Sequence, residues 1–208
     1  HAQVLHMPVP FYELDNVVAI DSIGEHRYND SLLLGLANLA GIGHENNGIV
    51  YTARGGFIDT AHVRDTADMT AWLFSHLLPR LGQSFTLRLD DELAQRHVVF
   101  NAFTPPTEPA DRYALAAWMA AHLAFQLAAW HEIAQWYGFE SVPGFSEEVS
   151  AFSPEDLYSN LLGARIAVSL ILNGQLATTE MYDAAMNNAL RQALMQLEAK
   201  PEKITRFQ

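Results

Sequence analysis

The sequence predicts an α+β fold that is mainly α, with several long helices around a small β-hairpin. Three observations predict it. Four stretches are bounded by helix start and stop signals, two neighbouring β-rich runs flank an acidic turn, and half of the 208 residues are hydrophobic, enough for one sizeable core. A single domain over 1–208 follows, with an irregular N-terminal region 1–50, a core 50–199 and an exposed tail 200–208.

Along the chain, Pro8 and Pro10 break the start, "SLLLGLANLAG" reads as a short helix, and "GIGHENNG" (Gly41 to Gly48) as a loop. "GIVYTARGGFID" is a β-rich run interrupted by Gly55 and Gly56, a pair that would let backbone approach a ligand closely. Asp59 or Thr60 caps a helix running to about Leu81. "SFTLRL" and "HVVFNAF" form the hairpin, turning through "DDELAQ". The longest helix starts near Ala110 and stops at Gly138, where glycine suits a left-handed C-cap. Beyond a loop with Pro143 and Gly144, Ser153 is placed to cap a helix, with Pro154 at its first position and Glu155 and Asp156 in its first turn. Thr178 or Thr179 opens the last helix, which runs to about Ala199.

Composition excludes several functions. Twelve basic against twenty-four acidic residues give a net charge of −12, which repels polyphosphate, so nucleic acid is not an expected partner. The absence of cysteine removes thiolate zinc sites, disulfides and a cysteine nucleophile. Segment 114–130 approaches the length of a membrane span but is mostly alanine and carries His122 and Gln126, so a transmembrane protein is not expected. Nucleophile-elbow, phosphate-loop and dinucleotide-binding motifs are all missing.

What remains is histidine and carboxylate chemistry. At about 100° per residue, His122 and His131 face opposite sides of one helix, and His62 and His76 lie about 21 Å apart along another, so any metal site must combine helices. "HEIAQ" begins like the H-E-x-x-H zinc-hydrolase pattern, with Gln135 in place of the second histidine. Neutral glutamine is a poor zinc ligand, so donors are needed from elsewhere. The expected metal ligands are therefore His62, His131 and Glu155, with Asp156 as a neighbouring option for the carboxylate. Glu132 is the expected general base, and Tyr137 or Arg64 would steady developing negative charge. Asp59, Asp65 and Asp156 would orient the ligands. The order of hairpin, long helix ending in "HE" and acid-bearing helix resembles the minimal core of glutamate-type zinc peptidases.

Each element also has a plain structural reading. A histidine–glutamate pair arises by chance in many helices, "SPED" is sound capping chemistry, and the aspartates near His62 suit a helix N-terminus. Trp118, Trp130, Trp136 and Tyr137 suit core or cleft wall.

"GGFIDTAHVRDTADMTAWL", "HEIAQWYG" and "SAFSPEDLYSNLLG" resemble an uncharacterised bacterial family of exported envelope proteins, many described as lipoproteins. The resemblance implies export to the periplasm or outer membrane, with any lipid anchor lying ahead of His1, and brings no activity with it. The expected function is a zinc-dependent hydrolase of an amide or ester bond in the cell envelope. The rival readings are a non-catalytic envelope module, binding a partner through an acidic surface and aromatic cleft, and a metal-free enzyme using paired carboxylates.

Overall fold

The computed structural model describes residues 17–29, 45–139 and 153–208, together with two short paired strands, β1 (Gln3–Val4) and β2 (Met7–Pro8). The expected helix in "SLLLGLANLAG" and the loop around Pro143 lie outside the described residues. In order there follow β3 (Ile49–Thr52), β4 (Gly56–Asp59), α1 (Thr60–Leu77), β5 (Phe85–Glu92), β6 (Ala94–Phe100), α2 (Pro109–Trp136), α3 (Pro154–Leu172), α4 (Thr179–Gln196) and the short α5 (Glu202–Thr205). Helices dominate and the strands form three two-stranded antiparallel sheets, so the fold is α+β and mainly α.

The β-rich run around Gly55 and Gly56 is a hairpin. Val50 pairs with Ile58 and Thr52 with Gly56, and the turn needs a left-handed residue, supplied by Gly56 at φ 71°. The glycine pair therefore serves a turn, and space beside Gly56 is open rather than closed on a ligand. β4 feeds straight into α1, whose N-cap Asp59 accepts a hydrogen bond from the Ala61 N–H at 2.8 Å. α1 ends at Leu77, earlier than the expected Leu81, because Pro79 falls in a 3-10 turn over Leu78–Arg80. In the second hairpin the strands extend through the acidic residues, and Leu93 alone turns the chain at φ 55°. α2 stops as expected: Gly138 adopts φ 89°, and the Phe139 N–H reaches back to the Ala134 carbonyl at 2.9 Å.

α1 is the central element. Val63, Ala67 and Ala71 pack with Ile166, Ala167 and Leu170 of α3 and with Met186, Leu190 and Leu194 of α4. Leu73, Phe74 and Leu77 meet Ala116, Ala117, Ala120, Ala121 and Ala124 of α2. The tightest approach is between α1 and α3: a Cβ added to Gly163 would lie 2.1 Å from the Val63 carbonyl oxygen and 2.9 Å from its carbon. These helices touch backbone to backbone, which only glycine permits. The C-terminal residues are less free than expected. The Lys200 N–H donates to the Tyr51 carbonyl at 2.8 Å, and buried Thr205 accepts the Tyr51 N–H.

The stretch 17–29 makes little regular structure yet satisfies its backbone through side chains of the helices. The N–H groups of His26, Tyr28 and Asn29 donate to Asn187, Asp183 and Asp68, and that of Arg27 to Glu45. His26 is buried between two carboxylates, with Nε2 3.0 Å from Asp68 and Nδ1 3.0 Å from Glu45. Arg64 completes the group, donating to Asn47 at 2.7 Å and to the Gly24 carbonyl, with Glu45 3.8 Å away. Two cations thus face two carboxylates in a closed network. Burial alone would lower the His26 pKa, but hydrogen bonds to Asp68 and Glu45 and their charges overcome it and raise the value from 6.5 to about 9.

Two outcomes follow from this packing. Gly163→Ala should cost about 3 kcal/mol or more, the upper range for forced overpacking, and lower Tm by roughly 10 °C in a chain of this size. Thermal unfolding of the variant checks this, and a loss under about 0.5 kcal/mol would show that the helices have slack. A raised histidine pKa contributes stability that is complete below the unfolded value of 6.5 and lost as pH rises through about 9. Denaturant titrations of wild type and His26→Gln should therefore differ most at about pH 6, just below the unfolded value. The gap should shrink by about 3 kcal/mol by alkaline pH. A gap constant across that window would mean His26 is held neutral.

Candidate metal centre

The close contact at Gly163 brings one face of α1 onto one face of α3. Asp156, Ser159, Asn160 and Gly163 recur at helical spacing along that face of α3, opposite Asp59, His62, Val63 and Thr66. Ser159 ties the two helix starts together: its hydroxyl accepts the Asp59 N–H at 2.9 Å and donates to the Glu155 carbonyl at 2.6 Å. One Asp59 oxygen is used in capping, which holds the carboxylate at the mouth of the helix.

Asp59, His62 and Asp156 each offer a donor atom, and these atoms lie within 4.8 Å of one another. His62 Nε2 stands 3.5 Å from Asp156 Oδ1. Two ligand atoms each about 2.1 Å from one ion, at a tetrahedral angle, would be about 3.4 Å apart, so the pair is already spaced for a shared cation. His62 is partly open to solvent, with 29% of its side chain accessible, which gives an ion and a substrate a way in.

The electrostatics favour a cation. Burial pushes the Asp156 carboxyl up, the charges of Glu132, Asp59 and Glu155 push it further, and only His62 opposes them, leaving it at about 7. Burial would lower the His62 pKa, but Asp59, Asp156, Asp65 and Glu132 together raise it. Glu132 of α2, which is 1% exposed, adds its charge to both groups. Four carboxylates thus bear on one imidazole, an excess of negative charge that a divalent ion would neutralise. A buried amide donor beside the cluster, Asn160 Nδ2, has no partner among the described residues. Donor types, spacing and charge all fit a bound divalent metal.

The expected site is thus partly assembled and partly dispersed. His62 lies at its centre, and the charge of Glu132 acts on it. Asp59 and Asp156, expected only to orient ligands, are themselves in ligand positions. Glu155 is outside the donor group; it neighbours Asp156 but points about 100° away around α3, and its carbonyl serves Ser159. His131 is also outside. Its Nδ1 pairs with buried Glu92 of β5 at 2.9 Å and its Nε2 with Gln135 at 3.0 Å, so both ring nitrogens are engaged at the second hairpin, where Arg96 also grips Glu92. In this chain the histidine of "HE" is turned to Glu92 and Gln135, while the charge of its neighbour Glu132 bears on His62. The histidine of the donor group comes from α1, not from the "HE" helix of the zinc-peptidase outline. Asp65 stands at an exposed position near His62 and acts on it through charge. Arg64 lies about 200° around α1 from His62, locked in the His26 network, and Tyr137 is 75% exposed at the end of α2, so neither is set to steady charge at the cluster.

Asn160 and Thr66 were not among the expected site residues. Their signal was present in the sequence as phase: Asp156, Asn160 and Gly163 share one side of a helix, and a glycine inside a helix marks close approach.

No curated protein and no solved structure matches the chain. A family model described as a protein of unknown function (DUF4056) matches residues 1–208, and the chain belongs to that family.

Proposed function

We propose that the protein is a metal-dependent hydrolase whose ion is held by Asp59, His62 and Asp156. The observation that carries this reading is the convergence of the three donors from two helices, in a cluster whose negative charge is otherwise unbalanced. One imidazole with two carboxylates suits a divalent transition ion, zinc or manganese, better than a soft or monovalent one. Bound there, such an ion would polarise a carbonyl and make a water molecule acidic enough to attack it near neutral pH.

The chain's own residues supply the rest. Glu132 is buried, acidic and close enough for its charge to act on His62, and is the base that accepts the proton of the attacking water. Asp59 is oriented by its capping bond, so it is set in place before an ion binds. The half-open face of His62 admits the scissile bond. An amide or ester of the bacterial cell envelope is the substrate class we infer from the resemblance of the three sequence blocks.

A binding module is the second reading, favoured by the aromatic side chains that α2 leaves exposed: Trp118, Trp130, Trp136 and Tyr137. No helix among the described residues is long and apolar enough to cross a membrane.

Metal analysis of protein purified without a histidine tag separates these readings. The hydrolase should hold about one equivalent of a divalent ion. It should lose that ion in His62→Ala and Asp156→Ala and keep it in His131→Ala. Less than about a tenth of an equivalent in wild type would end the reading. Glu132→Gln should keep the metal while turnover of ester and amide probes falls about 100-fold or more; unchanged turnover would remove Glu132 as the base.

A further inference from the structure

His62 and Thr66 are one turn apart on α1, and Asp156 and Asn160 are one turn apart on α3, so two i,i+4 pairs meet face to face above the Gly163 contact. Asn160 is buried at the centre of this square. Its Oδ1 accepts the Thr66 hydroxyl at 2.7 Å and faces His62 Nδ1 at 3.3 Å. His62 Nε2, on the other edge of the ring, faces Asp156.

We propose that Asn160 is a positioning residue that holds the proton of His62 on Nδ1, leaving the Nε2 lone pair for a cation shared with Asp59 and Asp156. The proposal rests on the metal-dependent reading above and adds the residue that prepares its imidazole.

A metal-binding histidine needs a free lone pair on the coordinating nitrogen, and the partner of its other nitrogen decides which that is. A carbonyl oxygen can only accept. With Oδ1 toward the ring, Nδ1 must carry the proton. Thr66 agrees with that choice: a threonine inside a helix commonly returns its hydroxyl proton to the carbonyl one turn back, as Thr70 does to Thr66 at 2.8 Å. Thr66 instead gives its proton to Asn160. The opposite amide orientation would present N–H groups to both Thr66 and His62, forcing the imidazole proton onto Nε2 and abolishing coordination through that atom.

Charge also favours the observed orientation. In either orientation one amide atom is left over, and here it is Nδ2, an N–H2 group without a partner among the described residues. It lies beside a cluster rich in carboxylates, where the positive end of the amide is favoured and a second carbonyl oxygen would add to the repulsion.

Two measurements test this. Long-range proton–nitrogen correlation spectra of histidine-labelled wild type, zinc-loaded and, separately, cation-free at alkaline pH where the ring is neutral, should show His62 protonated on Nδ1. A ring protonated on Nε2 would overturn the proposal, and this readout needs no substitution. Titration calorimetry with Zn2+ should then show that Asn160→Leu weakens Kd by about 10- to 100-fold, while Asn160→Asp, whose carboxylate also accepts from Nδ1, stays within a few-fold of wild type. Equal affinity in Asn160→Leu and wild type would also overturn it. A wild type that binds no cation would defeat the hydrolase reading, while the cation-free tautomer would still decide the role of Asn160.

Discussion

The backbone contact between Gly163 and Val63 is the constraint on which the site depends. Helices normally keep 8–10 Å between axes because side chains intervene, and the reach of aspartate and asparagine is short by comparison. Removing the side chain at position 163 lets α1 and α3 close, and the alanines at 67, 71, 164 and 167 keep the interface thin beyond it. Only at that separation can Asp156 and Asn160 reach the two edges of the His62 ring. Fold and site are therefore set by the same residue, one turn from the chemistry.

α1 presents charged groups on opposite sides, and comparing them explains why only one side is read as a ligand site. Toward α4 and the N-terminal stretch, His26 and Arg64 face Glu45 and Asp68, and Tyr182 and two backbone N–H groups add hydrogen bonds. Two cations meet two carboxylates there, and the network's work is to bind an irregular segment to the helices. Toward α3 and α2, the charges of Asp59, Asp156, Asp65 and Glu132 bear on a single imidazole, and the push on Asp156 registers the imbalance. Charge balance distinguishes the two groups.

Much of the fold was legible in the sequence because local signals carried it. Gly138, Asp59 and Thr178 end or begin helices where their chemistry says they should. The hairpin at Gly55 and Gly56 was read as an interrupted strand because two glycines mark equally a turn or a close approach. At the site, the participating segments were legible and the exact donors were not. "SPED" and "HE" each place two polar residues side by side, and which of the pair faces inward depends on the rotation of the helix about its axis, a tertiary quantity. Asp156 supplies a donor and Glu132 acts through its charge, while Glu155 is outside the donor group and His131 is turned to Glu92. Glu92 could not have been foreseen as the partner of His131, since a strand thirty-nine residues earlier supplies it.

The number of imidazoles bound to the ion tests the account most directly. X-ray absorption spectra of the zinc-loaded protein resolve histidine through the multiple scattering of its ring. The account predicts one nitrogen from a single imidazole, with the remaining ligands oxygen, all at about 2.0–2.2 Å. Two imidazoles in the shell would contradict it, because His131 would then have left Glu92 to join His62, and the centre described here would not be the one that binds metal.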